Sequence, residues 1–284
     1  MIYVIVALII IIVFCIAVIA FDSNRFVVRE YAISSDKIKE DRTLVFLSDL
    51  HGKKYGKNNE KLKKAIDSTA PDCVLIGGDM MTAYPGEDFG VSLNLVTYLS
   101  GKYKYVYAEG NHEFRARINK EFYHDLDQRY RDGLAKENTV ISVNESIEIT
   151  DDIKVFSLSI DREYYRRFKT YPMDEGYIES KVGKADEERF SVLLAHNPDY
   201  FDNYSSWGAD LVLAGHVHGG VVRIPGYRGI ISPMCTLFPK YDGGRFKKGD
   251  STMIVSRGLG MHTIPFRMFN PAEIVVIKLS KEKQ

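Results

Sequence analysis

The sequence predicts a mixed α/β domain built on two sheets and preceded by one transmembrane helix. Three observations carry that expectation. The stretch from Ile2 to Phe21 contains no charged residue, no glycine and no proline. After it, short apolar runs alternate with helix-period segments as strand, helix, strand, helix, strand, the pattern of a parallel sheet. Past residue 138 strand-like runs dominate, which suits a second sheet better than an extension of the first.

The apolar stretch reads IYVIVALIIIIVFCIAVIAF. At 1.5 Å per residue, about 20 residues span about 30 Å, the hydrocarbon thickness of a bilayer. A buried core helix rarely lacks every charge over such a length. A cleaved signal peptide is the stronger rival, with a basic start, a shorter apolar run and a small-x-small cleavage site. Here nothing basic precedes the run, and Ala17 and Ala20 are spaced wrongly for cleavage. The expectation is an uncleaved single-pass anchor over residues 1–21. Its orientation stays open. Arg25, Arg29, Lys37 and Lys39 follow the span and favour a cytoplasmic domain, but Asp22, Glu30, Asp36, Glu40 and Asp41 crowd the same flank.

Residues 22–42 are expected to hold a juxtamembrane link and a first strand, with alternation from Phe26 to Ile33. Residues 43–284 form the domain proper. Thr43–Leu47 is an apolar strand ending at Ser48-Asp49. Leu62, Ala65, Ile66 and Thr69 mark a helix face stopped by Pro71. Cys73–Ile76 is a second strand, ending at Gly77-Gly78-Asp79. Val91, Leu95, Val96 and Leu99 mark a second helix. Tyr103–Ala108 is a third strand, and Ile118, Phe122, Leu126 and Tyr130 mark a third helix. Later strands are expected at 138–143, 153–160, 190–195, 210–214, 220–224, 252–256 and 273–279, with one helix near 173–182. In open α/β sheets ligands bind outside the carboxyl ends of the strands, where the polar residues gather here.

Composition narrows the function. The 284 residues carry 38 Lys+Arg against 38 Asp+Glu, with 45% hydrophobic and 27% charged residues. Global disorder is excluded, and a neutral chain is a poor nucleic-acid binder. Three cysteines without a CxxC pair make neither a disulfide scaffold nor a thiolate zinc site.

Five pieces carry chemistry: Asp49-Leu50-His51, Gly78-Asp79, Gly110-Asn111-His112-Glu113, His196, and Gly215-His216-Val217-His218-Gly219-Gly220. Each is weak alone. Asp-x-His and His-x-His share a face of an extended strand by simple alternation, and a Gly-Asp is usually a turn. Together they are specific, because five of the seven histidines fall in these strand-end pieces and only His124 and His262 lie outside. Carboxylates, one amide and imidazoles without thiolates suit manganese, iron or zinc. The glycines permit positive φ or close approach of backbone to a bound ion or phosphate.

The set resembles the calcineurin-like metallophosphoesterase superfamily, whose pattern is D-x-H, G-D, G-N-H-[DE], H and G-H-x-H, over roughly residues 43–279. Within it the chain is similar to the bacterial membrane-associated branch of cell-envelope phosphoesterases and UDP-diacylglucosamine pyrophosphatase-like enzymes. The apolar segment, His196-Asn197-Pro198-Asp199, Gly219-Gly220 and Ser256-Arg257-Gly258-Leu259-Gly260 carry that likeness. Val217 and Val221 depart from the branch's usual Thr and Gln, and no twin-Arg precedes the apolar segment.

The resemblance implies a two-sheet α-β-β-α sandwich and two divalent metal ions. Asp49, His51 and His218 would hold the first, Asn111, His196 and His216 the second, and Asp79 would bridge them. His112 would face substrate as the catalytic residue. Water activated between the ions would attack phosphorus. The implied protein is a membrane-anchored phosphoester hydrolase acting on a phosphodiester or pyrophosphate, its substrate a phosphate-ester small molecule or a lipid headgroup. Arg257, His262 and Arg267 are candidate substrate contacts, since Arg binds phosphate bidentately, although ordinary surface charge explains them equally well. Arg162, Tyr164, Tyr165, Arg166 and Arg167 read more simply as a solvated loop than as a headgroup or nucleotide contact. Two alternatives remain: a nuclease of the same superfamily, and a non-catalytic metal-binding scaffold. Zero net charge weighs against the first and the complete ligand set against the second. The natural substrate, the resident metal and the oligomeric state are not legible in the sequence.

The anchor makes a direct prediction. Full-length protein should stay with the membrane fraction through a carbonate wash and keep Met1 or Ile2 as its first residue. A new N-terminus near residue 21 would convert the anchor into a signal peptide.

Overall fold

The computed structural model describes residues 1–136, 139–167, 169–261 and 264–282. Its first half runs α1 (Ile2–Asp22), β1 (Phe26–Ser35), β2 (Arg42–Leu47), α2 (Glu60–Ser68), β3 (Cys73–Ile76), α3 (Gly90–Ser100), β4 (Lys104–Tyr107), α4 (Asn111–Ile118), α5 (Lys120–Tyr123) and α6 (Leu126–Ala135). The second half runs β5 (Glu145–Glu148), β6 (Ile153–Leu158), α7 (Tyr177–Val182), β7 (Phe190–Ala195), α8 (Phe201–Trp207), β8 (Leu211–Ala214), β9 (Val222–Arg223), β10 (Gly229–Ile231), β11 (Gly244–Lys248), β12 (Ser251–Val255) and β13 (Ala272–Lys281).

Two sheets stack. One has the order β1-β13-β2-β3-β4 and the other β11-β12-β8-β7-β6-β5, with β9 and β10 a separate hairpin. Each sheet has a parallel centre, β2-β3-β4 in one and β12-β8-β7-β6 in the other. The chain's last strand returns beside its first: β1 pairs with β13 from Phe26↔Ala272 to Ser35↔Lys281. Residues 26–35 are therefore part of the first sheet.

The apolar runs have no polar face because both faces are covered. In β2, Val45 and Leu47 pack under α2, α3 and α6, while Leu44 and Phe46 face the other sheet. In β7, Val192 and Leu194 face the first sheet, while Leu193 and Ala195 pack against the α7 and α8 side. Three apolar layers thus separate four layers of structure, giving the α-β-β-α sandwich.

Three sequence expectations are corrected. The third helix is broken into α4, α5 and α6, because Asn119 (φ −112°, ψ 62°) and His124 (φ 53°) leave the helical region. Ile118 and Phe122 are exposed, while Leu126 and Tyr130 are fully buried. Each break costs about one hydrogen bond, about 1 kcal/mol, and seating each large side chain returns about 1.5–3 kcal/mol. The run 138–143 forms only one bridge, Ala108 to Ser142, with residue 138 outside the described residues. The run 220–224 shrinks to Val222–Arg223, since Gly219 and Gly220 turn with positive φ just before it.

Helix α1 is long and apolar enough to cross a membrane, and its apolar stretch is not buried against the domain. Its last turn is docked. Asp22 is buried and accepts from the Asn270 N–H at 3.2 Å, and the Ser23 hydroxyl accepts from the Arg267 N–H at 3.0 Å.

Candidate metal centre

The chemistry-bearing residues converge where the carboxyl ends of the two sheets meet. Asp49 follows β2, Asp79 follows β3, Asn111 and His112 open α4 after β4, His196 follows β7, and His216 and His218 follow β8. Their convergence does not come from strand alternation. Asp49, His51, Asp79, His216 and His218 have φ between 46° and 70°, in the left-handed region. The chain leaves each strand and turns at once, which aims alternate side chains into one cleft. Such a conformation costs a residue with a side chain about 1–2 kcal/mol. It persists because the surrounding backbone fixes it. A Cβ on Gly215 would collide with the Ser48 hydroxyl and the Asp49 carboxylate, and one on Gly110 with the Asp79 carboxylate.

Three groups of donors result: Asp49, His51 and His218; His51, Asp79 and His112; and Asp79, His196 and His216. In each, one atom per residue lies within 4.8 Å of the others. Asp79 Oδ2 lies 3.2 Å from His196 Nε2, 3.8 Å from His51 Nε2 and 3.9 Å from His112 Nε2. Asp49 Oδ1 lies 3.3 Å from His218 Nε2 and 3.7 Å from His196 Nε2. Asn111 Oδ1 is buried and has no hydrogen-bond partner among the described residues. A buried carbonyl oxygen without a donor is costly and fits a cation. The imidazoles are oriented from behind: His196 Nδ1 sits 2.7 Å from the Gly77 carbonyl and His218 Nδ1 3.3 Å from the Gly260 carbonyl. Such contacts turn the far nitrogen toward the cleft.

Charge is tightly balanced. Burial holds His216 down to about 3, with His196 adding to it, and holds His218 down to about 3, with Arg267 adding. Both are thus in the neutral form that binds metals. Burial also opposes charge on His196, but Asp79 and Asp49 outweigh it and carry its pKa up to about 10. Burial alone would raise Asp79, yet His196, His112 and His51 hold it well below the usual carboxylate range. A metal ion would take the place of the proton on His196.

Two residues hold the loops and were not assigned that role from the sequence. Glu113 is fully buried. Its Oε2 accepts from the Asp79 N–H (2.8 Å) and the Gly110 N–H (3.0 Å), its Oε1 from the Met80 N–H (2.9 Å) and the Tyr107 hydroxyl (2.8 Å). Burial, then Asp79, push its pKa up to about 7. The sequence signal was its place three residues after Gly110, the capping position of a helix. Arg267 is buried too, and donates to the carbonyls of Arg257 (2.7 Å), Gly260 (2.5 Å), Gly258 (3.3 Å) and His218 (3.3 Å). Of the expected substrate contacts, Arg267 is therefore placed as a backbone clamp. Arg257 lies beside Glu273 at 3.6 Å and, like Arg267, does not line the cavity over the cluster. His262 lies outside the described residues.

That cavity is about 490 Å³. Its floor is the donor cluster and its rim carries Arg115, Arg162, Arg166 and Arg167 with Tyr165. The segment expected to be a solvated loop thus borders the site, because the Arg162–Tyr165 turn buries Tyr164 against Tyr177 and Tyr200 and so fixes its neighbours there. Among the described residues, Asp79 is the one carboxylate lining the cavity.

Residues 42–220 match the calcineurin-like phosphoesterase family, and the chain belongs to it. The matched span includes every candidate ligand and His112. An uncharacterized metallophosphoesterase of Campylobacter jejuni is 29% identical over 269 residues, which cover 90% of this chain and 64% of that protein. One of Helicobacter pylori is 28% identical over 266 residues, covering 90% and 65%. One of Aquifex aeolicus is 24% identical over 262 residues, covering 89% and 91%. The chain spans about two thirds of the length of the first two relatives.

Glu113→Gln should test the loop assignment. The amide would set a donor against backbone N–H groups that now meet an acceptor. Stability in urea should fall by about 1–3 kcal/mol, and metal content after dialysis should drop with it. An unchanged midpoint and metal content would show that Glu113 does not hold the site.

Proposed function

We propose that this chain is a membrane-anchored, dinuclear-metal phosphoester hydrolase acting on a phosphodiester or pyrophosphate. One observation carries the reading: Asp79 belongs to two donor groups at once, with His51 and His112 in one and His196 and His216 in the other. Asp49, His51 and His218 would hold one ion and Asn111, His196 and His216 the other, with Asp79 placed to serve both. Two divalent ions, when bound, supply Lewis-acid charge and an activated water for in-line attack on phosphorus.

The remaining steps belong to the chain. The Asp79 Oδ1 atom accepts from the His112 N–H at 2.7 Å, which fixes the start of α4 against the bridging carboxylate. The Ala83 N–H points at His112 Nδ1 at 2.8 Å. Nδ1 is then the acceptor, so a neutral His112 carries its proton on Nε2. Arg115 Nη2 lies 2.8 Å from that nitrogen, and a guanidinium only donates. A phosphoryl oxygen bound over the cluster can accept from the Arg115 guanidinium and from the His112 Nε2–H together. From there the Nε2–H of neutral His112 can hydrogen-bond the leaving oxygen as negative charge builds on it. The arginine rim supports an anionic substrate, and the exposed apolar surface of α1 supports the anchor.

Purified full-length protein should hydrolyse bis-p-nitrophenyl phosphate with added manganese and lose that activity to a chelator. No turnover under any divalent metal would leave a scaffold instead of an enzyme.

Asp79→Ala should lose both ions by metal analysis, whereas His112→Ala should keep them. For His112→Ala, KM should stay similar while kcat falls about 10²–10⁴-fold. That defect should shrink when the leaving group is acidic. An equal defect across leaving groups would assign His112 to charge stabilisation, and metal loss would overturn its role.

A further inference from the structure

A second cavity, about 670 Å³, opens between the foot of α1 and the domain. Four guanidinium groups line it, from Arg25, Arg29, Arg223 and Arg257, together with the rings of Phe21 and Phe269. The cations are not fully matched. Arg25 pairs with Asp22 at 2.8 Å and Arg223 with Asp242 at 3.1 Å. Arg29 and Arg257 share a single carboxylate, Glu273, at 2.8 Å and 3.6 Å. Arg257 Nε is buried without a hydrogen bond among the described residues. Burial holds its pKa down to about 10 against the pull of Glu273, and Arg223 and Arg29 add to the lowering. An anion entering here would relieve a cluster of four cations set against three carboxylates.

The apolar part of the lining says what kind of anion. Phe21 stands on the last turn of α1, and Phe269 meets Phe14, about two turns earlier in the helix, with ring centres 6.4 Å apart. At the mouth Tyr227 is 70% exposed and Ile224 is 40% exposed. The arginines sit where the uncharged stretch ends, which is headgroup depth for a spanning helix.

We propose that this cavity binds the phosphate headgroup of an anionic membrane phospholipid, with its acyl chains lying along α1. The site is separate from the cavity over the metal-ligand cluster. It rests on the membrane reading of α1 and is independent of the hydrolytic one, which the bis-p-nitrophenyl phosphate assay tests separately.

Full-length protein in a neutral detergent, offered phosphatidylglycerol or phosphatidylcholine, should retain one phosphatidylglycerol per chain by native mass spectrometry and several-fold less phosphatidylcholine. The Arg25→Gln/Arg29→Gln double variant should retain phosphatidylglycerol about tenfold less well; because the partners Asp22 and Glu273 are buried, its urea midpoint should fall, and retention is compared at a temperature where circular dichroism shows both proteins folded. Arg25→Lys/Arg29→Lys, which keeps the charge, should recover most of the retention. Millimolar inorganic phosphate should not displace the lipid, because the chains contribute. Equal retention of both lipids, an unaffected double variant, or full displacement by phosphate would each overturn the assignment.

Discussion

Two buried carboxylates, Asp49 and Asp79, set the terms for the rest of the molecule. Both lie at the bottom of a cleft between sheets, nearly without exposure. An isolated ionised carboxylate in such a place is strongly disfavoured. The fold answers with fixed partners on every side. Asp79 accepts from the His112 N–H, and Asp49 accepts from the His216 N–H and the Ser48 hydroxyl. Imidazoles ring both. Strand ends from two sheets must meet here for this to happen, so the stacking of the sheets and the balance of the site are one constraint.

That constraint explains which parts were legible in the sequence. Strands such as Cys73–Ile76 and Leu211–Ala214 are apolar on both faces, and a run without polar interruption is hard to misread. The strand-end pieces were legible because they concentrate histidines. The means of convergence was not. Alternation along an extended strand was the available argument, whereas five of the residues reach the cleft through left-handed φ, a property the residue type permits but does not announce. Edge elements were missed for a different reason. Glu145–Glu148 and Gly244–Lys248 are polar edge strands whose pairing comes from their neighbours, and the charges that made them look like loops are the ones that keep edges soluble. Arg267 read equally as a substrate contact or an ordinary surface charge, because no local pattern distinguishes either from an arginine that clamps loop carbonyls.

The same arginine ties α1 to the site. Ser23, just past α1, accepts from the backbone N–H of Arg267, and the Arg267 side chain donates to the carbonyls of His218 and Gly260. Asn270 repeats the link: its backbone N–H meets Asp22, and its amide donates to the carbonyls of His218 and Gly220. On the other flank, Lys53 reaches the Asn24 side chain at 3.2 Å from the loop after His51. The end of the helix is therefore packed into the loops that shape the donor cluster. A free tether would leave the domain to tumble relative to α1, whereas these contacts give the cleft a defined orientation to the helix.

The charge pattern of the cavity also orders events. Its floor holds Asp79, with Asp49 beneath, and its rim holds four arginines. Without metal cations on the floor, a phosphate drawn in by the rim meets the carboxylates of Asp79 and Asp49 with the protonated His196 as a partial offset. With cations there, the sign of the floor reverses and floor and rim attract the same group. Neutral His216 and His218 add no charge of their own, so the reversal depends on what the carboxylates hold. The arginines cannot substitute for it: Arg115 leans on His112 and bonds the Asn111 carbonyl, which keeps it at the rim. Capture by the rim and acceptance by the floor are thus separate requirements, and only a loaded floor meets the second.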